Sequence, residues 1–150
     1  MNAPSVMPVA HRPGRGRVFD SIVDATGVGQ VLKPRLPQLK VVAVEPEESP
    51  VLSGGTHSPH KIQGIGAGII PDILDRSVID EIVKVNSATA IETSRALARM
   101  EGIPGGISSG AAIAAAIELG KRPENAGKTI PAIVPSFAER YISTVLFEGI

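Results

Sequence analysis

Three observations predict an α/β fold with a mostly parallel sheet flanked by helices. Lys40-Val-Val-Ala-Val-Glu45 is an unbroken apolar run between charges, as a strand buried on both faces requires. Glu81-Ile-Val-Lys-Val85 is another, followed at once by a helix with apolar positions at 3.6-residue spacing. The run Gly105-Gly-Ile-Ser-Ser-Gly110 then opens a second helix, rich in alanine. Strands that alternate with helices give parallel pairing through crossovers. At 150 residues, the chain is long enough for one domain and one core.

Residues 1–17 carry Pro, Gly, Arg and His without periodicity and read as a disordered lead; residues 18–150 form the domain. Val18 to Val23 is predicted as a short strand, and Thr26 to Lys33 as one or two helical turns stopped by Pro34. The Lys40–Glu45 strand delivers a long connection, Pro46 to Pro71, rich in Ser, Gly, Pro and His. Loops of that length inside a domain are usually functional or disordered. After the Glu81–Val85 strand, Asn86 or Ser87 caps a helix whose positions Ala90, Ile91, Ser94, Leu97 and Ala98 share one face. Gly102 closes it. The alanine-rich helix runs to about Lys121, Thr129–Val134 is predicted as a strand distorted by Pro131, and Phe137–Phe147 is a terminal segment.

Composition excludes several functions. Fifteen Lys and Arg balance fifteen Asp and Glu, and the four aromatic residues offer little for base stacking, so no nucleic-acid partner is expected. Three histidines without cysteine make a metal site of the Cys/His kind unexpected and rule out a disulfide scaffold. No apolar run is long enough to cross a bilayer, and the chain shows no signal sequence, so a cytoplasmic location is expected.

The motifs narrow the chemistry. Gly64-Ile-Gly-Ala-Gly68 lacks the G-x-G-x-x-G spacing, the preceding strand and the following helix of a dinucleotide site. It reads better as a loop that lets backbone approach a ligand, or as a plain glycine-rich connector. Ser108 and Ser109 stand at a helix entrance with no histidine beyond His60, whereas the base of a nucleophile elbow comes last in chain order, which argues against a hydrolase. Locally, the serines read as an N-cap on a buried helix.

Seven segments in order carry a resemblance. They are Val41-Val-Ala-Val-Glu-Pro, Ser49-Pro-Val-Leu-Ser-Gly-Gly, Pro59-His-Lys-Ile-Gln-Gly-Ile-Gly-Ala-Gly, Ala90-Ile-Glu-Thr-Ser-Arg, Gly106-Ile-Ser-Ser-Gly-Ala-Ala, Lys121-Arg-Pro-Glu-Asn and Pro135-Ser-Phe-Ala-Glu-Arg-Tyr. Together they resemble the cysteine synthase (O-acetylserine sulfhydrylase) family of type II pyridoxal-phosphate enzymes, over about residues 26–147. The resemblance implies part of the tryptophan synthase β-like fold. It also implies pyridoxal phosphate as cofactor and a β-replacement that makes cysteine from O-acetylserine and sulfide. Ser108 falls on the serine that meets the pyridine nitrogen, Gly64 and Gly66 on the loop beside cofactor and substrate, and Pro135 and Ser136 on the pyridine edge.

The pattern also departs from the family. Thr26-Gly-Val-Gly29 is present, but Ile22-Val-Asp-Ala25 stands where a phosphate-binding glycine-threonine loop is expected. The family's Schiff-base lysine has no match among Lys33, Lys40, Lys61, Lys84, Lys121 and Lys128, so no catalytic residue is assigned. Ala138 replaces a glycine before Glu-Arg-Tyr. Residues 18–150 are therefore expected to be a truncated, C-terminal cysteine-synthase-like domain that is inactive alone. The partner expected is a second copy, or an intact cysteine synthase subunit with which the chain pairs as a non-catalytic module.

Overall fold

The computed structural model describes residues 16–19 and 22–148, with side chains from Ala25 onward. The expected lead lies outside the described residues, apart from Gly16 and Arg17, which begin a strand. Three strands, β1 (Gly16–Phe19), β2 (Lys40–Pro46) and β3 (Glu81–Val85), form a parallel sheet in the order β1-β2-β3. Gly16 stands opposite Lys40, and Val42 opposite Glu81. β2 is central and buried from Val41 to Pro46, as its continuous apolar run requires.

Three helices accompany the sheet: α1 (Ile22–Leu32), α2 (Ser87–Glu101) and α3 (Ile107–Lys121). Side chains that alternate along β2 divide the core. Val42 and Val44 join Val83, Val85 and the α2–α3 pair through Ile91, Ile107, Ala111 and Ala115. Val41 instead joins Ala25 and Leu39, with Val28 and Leu32 of α1 beside them, and Ala43 meets Leu52 and Leu74. The alanines of α3 let it lie close against α2. Both ends of α2 are as the sequence predicts: the Asn86 side chain accepts from the Thr89 N–H at 2.8 Å, and Gly102 closes the helix at φ 68°.

Two elements differ from expectation. The strand predicted over Val18–Val23 stops at Phe19, and Ile22 and Val23 begin α1. Ala25, Val28 and Leu32 pack together against Leu39 and Val41, and this tertiary contact overrides the strand preference of Ile and Val. Thr129–Val134 forms no strand among the described residues. Pro131 has no N–H to give a ladder. The segment instead inserts Ile130 and Ala132 into the main core and Ile133 into the α1 side.

The start of α2 carries an acid-sensitive cap. Glu48 Oε1 accepts from the Ser87 N–H at 2.7 Å. Burial raises the Glu48 pKa, but hydrogen bonds from Ser87 and the nearby His60 outweigh it and hold the carboxyl below its ordinary 4.5. A carboxylate with a lowered folded-state pKa contributes stability above its unfolded value and loses it as pH falls through the folded one. Glu48→Gln should therefore flatten the fall in melting temperature on acidification below pH 4.5. Parallel acid profiles of the two proteins would show that the cap does not titrate with folding.

Candidate functional site

The first turn of α3 is crossed by the segment around Ser136. Gly106 precedes the helix, and its N–H donates to the Ser136 carbonyl at 2.9 Å. Gly105 pairs with Phe137 in an antiparallel bridge, and the Ala138 N–H donates to the Pro104 carbonyl at 2.8 Å. A Cβ at Gly106 would run into Ser136 Oγ and the Tyr141 ring, so glycine is what permits this approach.

The two serines do not cap the helix. The Gly106 cap makes no side-chain hydrogen bond, and both hydroxyls turn to Ser136 instead. Ser108 Oγ lies 3.1 Å from Ser136 Oγ. Ser109 Oγ donates to the Ser136 carbonyl at 3.0 Å, accepts from its N–H at 3.3 Å, and lies 3.2 Å from Ser136 Oγ. Both serines are buried, Ser109 completely. The N-cap reading fails because the crossing segment supplies partners that a helix entrance in isolation would lack.

The loop from Gly64 to Gly68 borders this cluster. Gly64 has φ 96°, and a Cβ there would lie 3.9 Å from Ser108 Oγ, at van der Waals contact, so the glycine faces the hydroxyl. Gly66 sits behind: its carbonyl meets His60 Nε2 at 3.0 Å, and its Cα rests on Pro46 at the carboxyl end of β2. Pro135 is exposed and leads into Ser136. Ser108, Ser136 and Gly64 thus come together, with Gly66 as a support and Pro135 at the margin. Like ligand sites in other parallel α/β sheets, the cluster is served by a loop from a strand's carboxyl end. Ser109 joins it as a residue the motif reading assigned to no site; its one sequence signal is the Ser-Ser doublet.

No described lysine is hydrogen-bonded to this cluster, and Lys40 is exposed at the start of β2. Lys33 pairs with Asp80 at 2.7 Å, and Lys128 donates to Asn125 at 3.2 Å. Lys61 borders a separate cavity of about 500 Å³, with Glu48, His60 and Arg95, while Lys84 and Lys121 flank another beside α2 and α3. Among the described residues, no group of three or more His, Asp or Glu side chains could hold a metal ion. No described helix is long and apolar enough to cross a membrane.

Comparison with known proteins decides the family. The pyridoxal-phosphate dependent enzymes match residues 23–136. The chain belongs to this family. A cysteine synthase of Staphylococcus aureus is 55% identical over 126 residues, covering 81% of this chain and 39% of the relative. The crystal structure of a cysteine synthase from Entamoeba histolytica superposes with a TM-score of 0.86 at 46% identity, over 89% of this chain and 40% of that one. An O-ureido-L-serine synthase gives 0.85 at 43% identity, over 93% of this chain and 44% of that one. The chain spans about two fifths of the length of the relatives it matches. The expected fold, part of the type II pyridoxal-phosphate architecture, is the one observed, and the family's cofactor is pyridoxal phosphate.

The serine cluster could meet the pyridine edge of such a cofactor. It offers a buried, neutral hydroxyl backed by glycine, and Ser108 and Ser109 are hydrogen-bonded to Ser136 rather than to any charged side chain. A neutral hydroxyl suits a pyridine nitrogen without imposing a proton on it.

Proposed function

We propose that this chain supplies the pyridine-edge part of a pyridoxal-phosphate site of the cysteine synthase kind. The reaction served is β-replacement on an O-acetylserine-type substrate with sulfide, giving cysteine. When bound, pyridoxal phosphate supplies the electron sink that labilises the substrate's β-substituent. Ser108 holds the ring nitrogen, Ser136 orients Ser108, and Gly64 brings backbone to the cofactor's side. The single observation that carries this reading is the Ser108–Ser136 pair at 3.1 Å, half-buried beside the Gly64 loop.

The sequence offers no match to the family's Schiff-base lysine or phosphate-binding loop, so this reading assigns both to another polypeptide segment. The test combines the full chain with the part of the S. aureus relative that the match leaves uncovered, and titrates pyridoxal phosphate. The complemented pair should show a saturable, borohydride-trappable absorbance, and the chain alone should not. Ser108→Ala should weaken cofactor retention about 2- to 13-fold, the equivalent of one hydrogen bond at about 0.5–1.5 kcal/mol. A trappable band in the chain alone, mapped to one of its lysines, would overturn the division of labour. Unchanged retention in Ser108→Ala would remove Ser108 from the site.

A second reading is a non-catalytic module that docks on an intact cysteine synthase subunit. It is favoured by β3, which pairs only with β2 among the described residues and so leaves one edge open to a further strand. Pyridoxal phosphate retained by the intact enzyme but never gained on adding this chain, together with a stable complex of the two, would select it.

A further inference from the structure

Resting on the pyridine-edge reading, we propose that Ser109 is the positioning residue of the site and sets the hydroxyl that Ser108 presents to the ring. A serine hydroxyl has one proton to donate and two lone pairs to accept with. The Ser109 proton is committed to the Ser136 carbonyl at 3.0 Å, and one of its lone pairs takes the Ser136 N–H at 3.3 Å. Ser136 is therefore held through both its backbone groups by one side chain that is itself completely buried.

That grip decides where Ser136 Oγ stands, 3.1 Å from Ser108 Oγ and 3.2 Å from Ser109 Oγ. When the Ser136 hydroxyl donates to Ser108, the Ser108 proton is free for an unprotonated ring nitrogen. Without Ser109, the Ser136 N–H loses its partner, and the ties that remain are the Gly106 N–H to the Ser136 carbonyl, the Gly105–Phe137 bridge and the Ala138 N–H to Pro104. Ser136 could then drift, and Ser108 would spend its proton on whichever acceptor came nearest. Ser109 touches neither ring nor substrate in this arrangement; it acts through Ser136.

The first arm of the test needs no cofactor. Amide hydrogen exchange is followed in the full chain, and Ser109→Ala should speed exchange of the Ser136 N–H by tenfold or more while α2 amides keep their protection. Unchanged exchange at Ser136 would overturn the proposal whatever the cofactor does. The second arm is a double-mutant cycle read by pyridoxal phosphate affinity in the complemented pair. Ser109→Ala should weaken affinity severalfold when Ser108 is present and have little effect in the Ser108→Ala background. Additive losses would mean that Ser109 only supports the fold, and would overturn the positioning role. If the unsubstituted complemented pair binds no cofactor at all, the pyridine-edge reading falls and this inference falls with it, even where the exchange arm succeeds.

Discussion

Gly110→Ala is expected to destabilise the chain by about 3 kcal/mol, the upper part of the range for overpacking a closed interior. Gly110 lies in the first turns of α3 where it crosses α2. A Cβ there would run into the Ala90 carbonyl oxygen and come within 2.8 Å of both Cβ and N of Ser94. These neighbours are mostly backbone of a regular helix and cannot rotate away. Ser94 is further tied down because its hydroxyl donates to the Gly105 carbonyl at 2.8 Å. Relief requires the two helices to part, which unpacks Ile91, Ile107 and Ala111 together. Gly120 in the same helix is the control. Its Cβ would meet only Ile130 Cδ1 at 3.9 Å, so Gly120→Ala should stabilise by up to about 1 kcal/mol through helix propensity. Thermal melts followed by circular dichroism separate the two, at roughly 2–4 °C per kcal/mol for a chain of this size. Equal midpoints for Gly110→Ala and the parent would show that α2 and α3 are not packed as described.

The second large effect is expected from Arg95→Ala. The Arg95 guanidinium donates from Nε to the Leu146 carbonyl at 2.8 Å, and from Nη2 to Val145 at 2.8 Å and Glu148 at 2.9 Å. One planar fork thus fastens the terminal segment to α2 and keeps Leu146 in the main core. Hydrogen bonds to a charged group are worth about 1.5–3 kcal/mol each when buried, less where solvent reaches them, so a loss of about 2–3 kcal/mol is expected. Arg95→Lys should recover little, because an ammonium cannot match the fork. Amide exchange at Val145, Leu146 and Phe147 should rise first, ahead of the sheet. Retained protection at Leu146 in Arg95→Ala would show that apolar packing alone holds the segment.

Patterns of one period were legible in the sequence because each depends on its own neighbours. The apolar runs at Lys40–Glu45 and Glu81–Val85 became β2 and β3, and Asn86 and Gly102 bounded α2, since burial and capping are local demands on residue type. The motifs named the family for a similar reason: a run such as Gly106-Ile-Ser-Ser-Gly-Ala-Ala is an address carried by identity and order. Tertiary structure decided the rest. Ile22 and Val23 have strand-forming side chains, yet α1 claims them because the turns that follow pack on Leu39 and Val41. Thr129–Val134 is apolar like a strand, yet forms none among the described residues, and Ile130, Ala132 and Ile133 pack against two cores instead. Ser109 reads as a helix cap until Ser136, twenty-seven positions away, arrives with both its N–H and its carbonyl. A hydroxyl takes whichever partner the fold brings to it, and a partner that distant in the chain leaves no mark at the serine itself.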